Sequence, residues 1–264
     1  MPLFIIIMLL EYKEQQYKSE VIDNIMRWGM VIDVSKCVRC HGCIMACRIA
    51  HFLPMGISWP RLMEIETSQP KAVNIYPVRC NHCKNAPCVD VCPTGANQQR
   101  DDGIVWVDQN KCVGCRYCVI ACPYQNRYFV AKDKDKGYFP DDGPTAFEQI
   151  GKQKFPHQVG TTEKCNFCME RIDEGMAKRL EPGTDRDAIP ACVNTCPARA
   201  MTFGDLDDPE SSVSKLIKEK KTFPLHPEYG TEPSIYYINN TITRPDAQVD
   251  SSEHERECVC SEVK

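Results

Sequence analysis

The chain has 264 residues, with 36 acidic side chains against 32 basic ones, a net charge of −4 and no basic stripe, which excludes a nucleic-acid binder. Hydrophobic residues make up 42% and aromatic residues 8%, enough for one or two domains around a modest core. The feature out of proportion is cysteine, of which there are 18.

Residues 1–28 read as an N-terminal extension. Its apolar run, Leu3 to Leu10, is far short of the about 20 residues a membrane helix needs, so no direct membrane span is expected. Glu11 follows where a secretory leader would carry a small-residue cleavage site. The run reads as a membrane-interface segment, or as sequence upstream of a true start at Met26 or Met30.

Four cysteine quartets then follow: Cys37, Cys40, Cys43 and Cys47; Cys80, Cys83, Cys88 and Cys92; Cys112, Cys115, Cys118 and Cys122; Cys165, Cys168, Cys192 and Cys196. The first and third are Cx2Cx2Cx3C, in which a tight loop presents three thiolates to one iron-sulfur cluster while the fourth cysteine reaches a different cluster. The second, Cx2Cx4Cx3C, and the fourth, Cx2Cx23Cx3C, stretch the third interval but keep the closing Cx3C. Disulfides are a poor explanation, because cysteines two or three residues apart are too crowded for so many unstrained bridges. Structural zinc needs only paired CxxC and leaves the third cysteine of CxxCxxC idle. His41 and His82 suggest a Rieske-type centre, but full cysteine quartets surround both. The set is the ligand supply for four [4Fe-4S] clusters, which would also supply much of the folding energy, so the apo chain is expected to fold poorly. Proline follows the fourth cysteine in Cys92-Pro93, Cys122-Pro123 and Cys196-Pro197, where it suits a helix start. Arg48 stands in that place after Cys47.

The quartets are of two kinds, each present twice. Ile32-Asp33-Val34-Ser35-Lys36-Cys37-Val38 matches Val107-Asp108-Gln109-Asn110-Lys111-Cys112-Val113, a short strand turning into a cluster loop. Cys80-Asn81-His82-Cys83 with Cys88 to Pro93 matches Cys165-Asn166-Phe167-Cys168 with Cys192 to Pro197. Between quartets two and three, Asp102-Gly103 predicts a turn into a strand at Ile104–Val107. The expected fold is α+β, two bacterial-ferredoxin-like dicluster domains with long loop insertions. Residues 80–122 form the inner domain and residues 29–79 with 123–239 the outer one. Exchange of fourth ligands assigns Cys37, Cys40, Cys43 and Cys196 to cluster one, and Cys80, Cys83, Cys88 and Cys122 to cluster two. Cluster three takes Cys112, Cys115, Cys118 and Cys92, and cluster four Cys165, Cys168, Cys192 and Cys47. Segment 123–164 is polar and reads as irregular surface structure. Helices are expected over Met169–Leu180 and over Ser211–Lys220, the latter with Val213, Leu216 and Ile217 on one face. Residues 240–264 read as a flexible acidic tail whose Cys258 and Cys260 are not assigned to a site.

In this order the quartets resemble the four-cluster electron-transfer subunit of the dimethyl sulfoxide reductase family of molybdopterin enzymes. Thr162 to Cys168, Gly204 to Pro209 and Tyr229 to Pro233 look most like the arsenate, polysulfide and thiosulfate reductase members. Cys115 stands where nitrate-reductase-like relatives carry a tryptophan, so all four clusters are expected to hold four irons. The resemblance implies a non-catalytic subunit passing single electrons between a quinol-linked membrane-anchor subunit, or another redox partner, and a large catalytic subunit carrying a molybdenum or tungsten bis-pterin. It further implies attachment to a membrane through those partners, on the periplasmic or extracytoplasmic face, with a cytoplasmic place as the alternative. A hydrogenase or formate dehydrogenase complex is the alternative assembly. Arg39, Asn81, His82, Arg116 and Asn166 are the candidates for tuning cluster potentials.

Overall fold

The computed structural model describes residues 26–68, 71–132, 137–139 and 141–239. The expectations for Leu3–Leu10, the acidic tail, Cys258 and Cys260 lie outside the described residues. Among the described residues no helix is long and apolar enough to cross a membrane.

In chain order the elements are β1 (Trp28–Asp33), a 3-10 turn (Val34–Lys36), α1 (Gly42–His51), β2 (Arg61–Ser68), β3 (Lys71–Val78), α2 (Pro87–Asp90), β4 (Asn97–Gln99), β5 (Val105–Val107) and α3 (Tyr117–Ala121). There follow β6 (Tyr128–Phe129), α4 (Ala146–Lys154), β7 (Thr162–Glu163), α5 (Met169–Ala177), α6 (Ala191–Thr195), β8 (Met201–Asp205), α7 (Ser212–Glu219), β9 (Thr222–Pro224) and β10 (Ile235–Ile238).

The strand β1 is apolar along its whole length because it lies inside a four-stranded sheet of order β8-β1-β10-β9 and is covered on both faces. It runs antiparallel to β8 and parallel to β10. Met30 and Ile32 are fully buried, and Trp28 stacks on Phe203 with ring centroids 5.6 Å apart. Helix α7 starts at the Ser211 cap and lays Val213, with Leu216 and Ile217 beside it, on Val31 and Ile238.

The internal repeat survives as structure. Strand β8, just after quartet four, pairs with β1, just before quartet one; strand β4, after quartet two, pairs antiparallel with β5, before quartet three. Likewise α1 packs on α6, and α2 on α3. The entry turns are the same device twice. Asp33 accepts a hydrogen bond from the Ser35 amide and pairs with Lys36, while Asp108 accepts from the Asn110 amide and pairs with Lys111. Between β4 and β5 the chain turns at Gly103, at φ +80°, and Asp102 accepts from the Ile104 amide.

Three expectations need correction. The Cys-Pro pairs end helices and do not start them. Cys122 and Cys196 are C-caps in extended conformation, as a residue before proline must be, and Cys92 follows the end of α2. With Arg48 in place of proline, α1 runs through Cys47 to His51. Segment 123–164 is not irregular throughout. It contains α4, nucleated by a capping box in which Thr145 and Glu148 satisfy each other's backbone amides, and anchored by Phe147 on the Phe52 ring at 4.9 Å. Finally, the helix expected to reach Leu180 stops at Ala177. Arg179 takes a left-handed φ of 61°, and the Leu180 amide folds back to the Gly175 carbonyl at 2.9 Å.

The insertion is tied to the core by a buried ion pair between His157 and Glu163, whose side chains are 8% and 1% exposed. His157 Nε2 also lies 2.8 Å from the His51 carbonyl oxygen. Both ring nitrogens therefore face acceptors, and only the imidazolium satisfies both. Burial opposes that charge, but the hydrogen bond and charge of Glu163 more than offset it and raise the His157 pKa above 6.5. A raised folded-state pKa gives stability that is complete below pH 6.5 and is lost as pH rises through the folded value. The thermal midpoint of the protein is expected to fall over that range, and His157→Gln to flatten the fall.

Candidate iron-sulfur centres

The cysteine loops are curled by residues in the left-handed region, and the repeat reproduces the curl. Arg39 and His41 have φ of 62° and 57°, and their counterparts Gly114 and Arg116 have 69° and 64°. At Gly114 glycine is obligatory: a Cβ would stand 2.0 Å from the Gly160 carbonyl oxygen. Gly114→Ala is expected to cost about 2–5 kcal/mol from left-handed strain plus overpacking, read as a lower thermal midpoint with bleaching of the visible absorbance.

Around these loops the structure gathers cysteines from distant parts of the chain. Cys37, Cys40, Cys43 and Cys196 wall one cavity with Leu62 and Met201. Cys80, Cys83, Cys88 and Cys122 wall another with Ala86 and Tyr124. Cys47, one turn beyond Cys43 on α1, lies with Cys165, Cys168 and Cys192, whose charges bear on it. Cys112 and Cys118 both face the Thr162 hydroxyl, at 3.7 and 3.4 Å. Cys115 is exposed at the tip of its loop, and Cys92 accepts a hydrogen bond from the Asn97 amide at 3.4 Å.

The donor set fits iron-sulfur clusters. Buried thiols crowd one another here: burial first, then the charges of neighbouring cysteines, push Cys165 and Cys83 up to about 12 and raise Cys47 and Cys168 well above the ordinary thiol value. Such thiols ionise only when a metal draws the proton off. Backbone amides already point at the sulfurs, from Ala191 to Cys168 at 3.4 Å and from Ala200 to Cys196 at 3.3 Å. Among the described residues no three His, Cys, Asp or Glu converge on a single ion.

Of the five tuning candidates, Arg39 pairs with Glu64 and Arg116 stacks on Phe129 at 3.8 Å. Asn166 shapes its own loop by accepting from the Cys168 amide at 2.9 Å and donating to Glu170 at 2.8 Å. Asn81 and His82 are buried in theirs. His82 Nδ1 accepts from the Val105 amide at 3.0 Å, and burial, with Lys164 and Arg127 nearby, holds its pKa well below 6.5. His51 sits 3.6 Å from the Cys47 sulfur and is neutral near pH 7, burial holding its pKa near about 4. Three polar residues escaped the sequence reading: the buried Arg79, Arg127 and Lys164. A signal for two of them was present, since Arg79 and Lys164 each directly precede a Cys-Asn-x-Cys.

Comparison with known proteins bears on the same residues. Two models described as a 4Fe-4S dicluster domain match residues 71–137 and 36–96. A Halobacterium salinarum protein named for the iron-sulfur subunit of a dimethyl sulfoxide reductase is 39% identical, over 82% of this chain and 80% of its own length. The arsenate respiratory reductase iron-sulfur subunit of a Shewanella strain is 37% identical over 81% of this chain and 97% of its own. A selenate reductase subunit of Mesobacillus selenatarsenatis is 36% identical over 81% and 73%.

Proposed function

The chain belongs to the iron-sulfur electron-transfer subunits of the dimethyl sulfoxide reductase family of molybdopterin oxidoreductases, and from that premise we propose that it carries four [4Fe-4S] clusters in two dicluster domains and relays single electrons to or from a molybdenum or tungsten pterin subunit. Cys37, Cys40, Cys43 and Cys196 would hold cluster one, Cys80, Cys83, Cys88 and Cys122 cluster two, Cys112, Cys115, Cys118 and Cys92 cluster three, and Cys165, Cys168, Cys192 and Cys47 cluster four. The observation that carries this reading is the arrival of Cys196 among Cys37, Cys40 and Cys43, and of Cys122 among Cys80, Cys83 and Cys88. When bound, such clusters supply one-electron redox chemistry without breaking a substrate bond. The chain's own work is to hold them in line, keep water out and present the ends.

The line has an order. The charge of Cys192 bears on Cys43 and that of Cys80 on Cys165, Arg79 donates to Cys192 beside Cys43, and the charge of Arg127 is met by Cys88 and Cys118. The path is therefore cluster one, four, two, three, with the inner domain over residues 80–122 and the outer over 29–79 and 123–239. Its ends are marked by the exposed Cys40 and Cys115. Each is rimmed by exposed apolar residues, Val38 and Met45 at one end, Val113, Tyr117 and Ile120 at the other. Such surfaces suit docking of partners: the catalytic subunit at one end and a quinol-linked membrane subunit at the other. The complex would sit at the membrane on its periplasmic or extracytoplasmic face.

Native purification with metal analysis tests this. About sixteen iron and as many acid-labile sulfide per chain, with molybdenum or tungsten co-eluting on a larger polypeptide, is the expected result. Zinc in place of iron and sulfide would overturn it.

A further inference from the structure

Three cations are buried among the cysteines, and none has a carboxylate partner among the described residues. Arg79 is 1% exposed; its Nη1 donates to the Cys192 sulfur at 2.9 Å and lies 3.6 Å from the Met30 sulfur, while Nε and Nη2 make no hydrogen bond. Arg127 donates to Asn97 at 2.5 Å and likewise has Nε and Nη2 unpartnered. Lys164 donates to the carbonyls of Val105 and Cys165. A buried cation demands nearby negative charge. The groups able to offer it here are cysteine sulfurs, for Arg79 those of Cys192, Cys43 and Cys165, and for Arg127 those of Cys88, Cys118 and Cys80.

The repeat makes Arg79 and Lys164 equivalent, each immediately before a Cys-Asn-x-Cys. Yet the charge of each reaches the other loop, although the Lys164 ammonium also donates to the carbonyl of its neighbour Cys165 at 2.7 Å. Arg79, next to Cys80, bears on Cys43 and Cys192 of quartets one and four. Lys164, next to Cys165, bears on Cys88 of quartet two. The two loops meet face to face at their equivalent aromatic positions, where His82 stacks on Phe167 with centroids 3.7 Å apart. At that junction a residue at the head of one loop naturally reaches into the other half.

We propose that Arg79 and Lys164 are crossed countercharges, each setting the reduction potentials of clusters in the half of the protein that its neighbouring cysteine does not serve. This rests on reading the quartets as cluster ligands. A four-thiolate iron-sulfur centre is anionic and gains one more negative charge on reduction, so a fixed cation against its ligands favours the reduced form. Arg79 is then a positioning residue for charge at clusters one and four. Lys164, with Arg127, acts at clusters two and three.

The test is a redox titration, followed by electron paramagnetic resonance, of the purified complex carrying Arg79→Gln, Arg79→Lys or Lys164→Gln, each signal being assigned with single cysteine variants. In Arg79→Gln the reduced-to-oxidised ratio at the wild-type midpoint should drop about tenfold for clusters one and four, equivalent to about 59 mV for a one-electron couple. Clusters two and three should stay put. Lys164→Gln should give the reverse pattern, and Arg79→Lys should lie near wild type. Unchanged midpoints in all four clusters, or a shift confined to the Cys80-ligated cluster in Arg79→Gln, would overturn the proposal while normal iron and sulfide left the cluster reading standing. Should Arg79→Gln fail to load iron, Lys164→Gln decides alone: a shift in clusters one and four in place of two and three sinks the crossing. A wild-type complex without iron and sulfide would sink the cluster reading itself.

Discussion

Cys47→Ala is expected to remove the centre built on Cys165, Cys168 and Cys192 and to leave intact the one built on its sequence neighbours Cys37, Cys40 and Cys43. Cys47 lies one turn beyond Cys43 on α1, but that turn carries its sulfur away from the first loop and toward the charges of Cys165, Cys168 and Cys192. Cys196 makes the complementary move and joins Cys37, Cys40 and Cys43. The paired variants turn this into a count. With about four iron lost per dismantled cluster, Cys47→Ala with Cys165→Ala should lose about four iron from about sixteen, because both changes strike one cluster. Cys47→Ala with Cys40→Ala should lose about eight. The opposite pattern would mean that each quartet holds its own cluster and that the ligands are not exchanged.

Stripping iron from the purified protein with a chelator under oxidising conditions is expected to unfold it. The cysteines are the core: Cys43, Cys47, Cys165 and Cys192 pack with Trp28, Ile32 and Phe203, and Cys83, Cys88 and Cys118 make up half of a second, small core with Ala86, Val105 and Tyr124. Once the cluster charge is gone, Arg79 and Arg127 remain buried at 1% and 5% exposure with no anionic partner. An uncompensated buried charge costs about 3–5 kcal/mol, so two cost about 6–10, against a total stability of about 5–15 for a typical domain. The far-UV circular dichroism of the stripped protein should lose its ordered signal, and its thermal transition should disappear. A stripped chain that kept a cooperative transition would show that the apolar sheet around β1 folds without metal.

Spacing made the sixteen cysteines, their two kinds of loop and the strand entering each of the paired loops legible, because ligand spacing and turn chemistry are local and covalently limited. The same holds for the Asp102-Gly103 turn and the face of α7. Helix α4 was legible too, through Thr145 and Glu148, but a count of polar residues hides a capping box. The Cys-Pro pairs misled because proline is compatible with the first turn of a helix and with the residues after its end, and only the backbone at Cys122 and Cys196 decides between them.

The sequence by itself determined which thiolates are present, that they come in a duplicated pair of motifs, and to which family the chain belongs. Tertiary structure alone decided where side chains one residue outside those motifs point. Arg79 and Lys164 occupy the same place in the repeat, but their direction depends on the packing of one loop against the other at His82 and Phe167. His157 and Glu163 meet only because the insertion folds back over His51. Residue spacing along a loop is a property of the chain; burial of a charge against a distant sulfur is a property of how two halves are pressed together, and that is set by long-range packing.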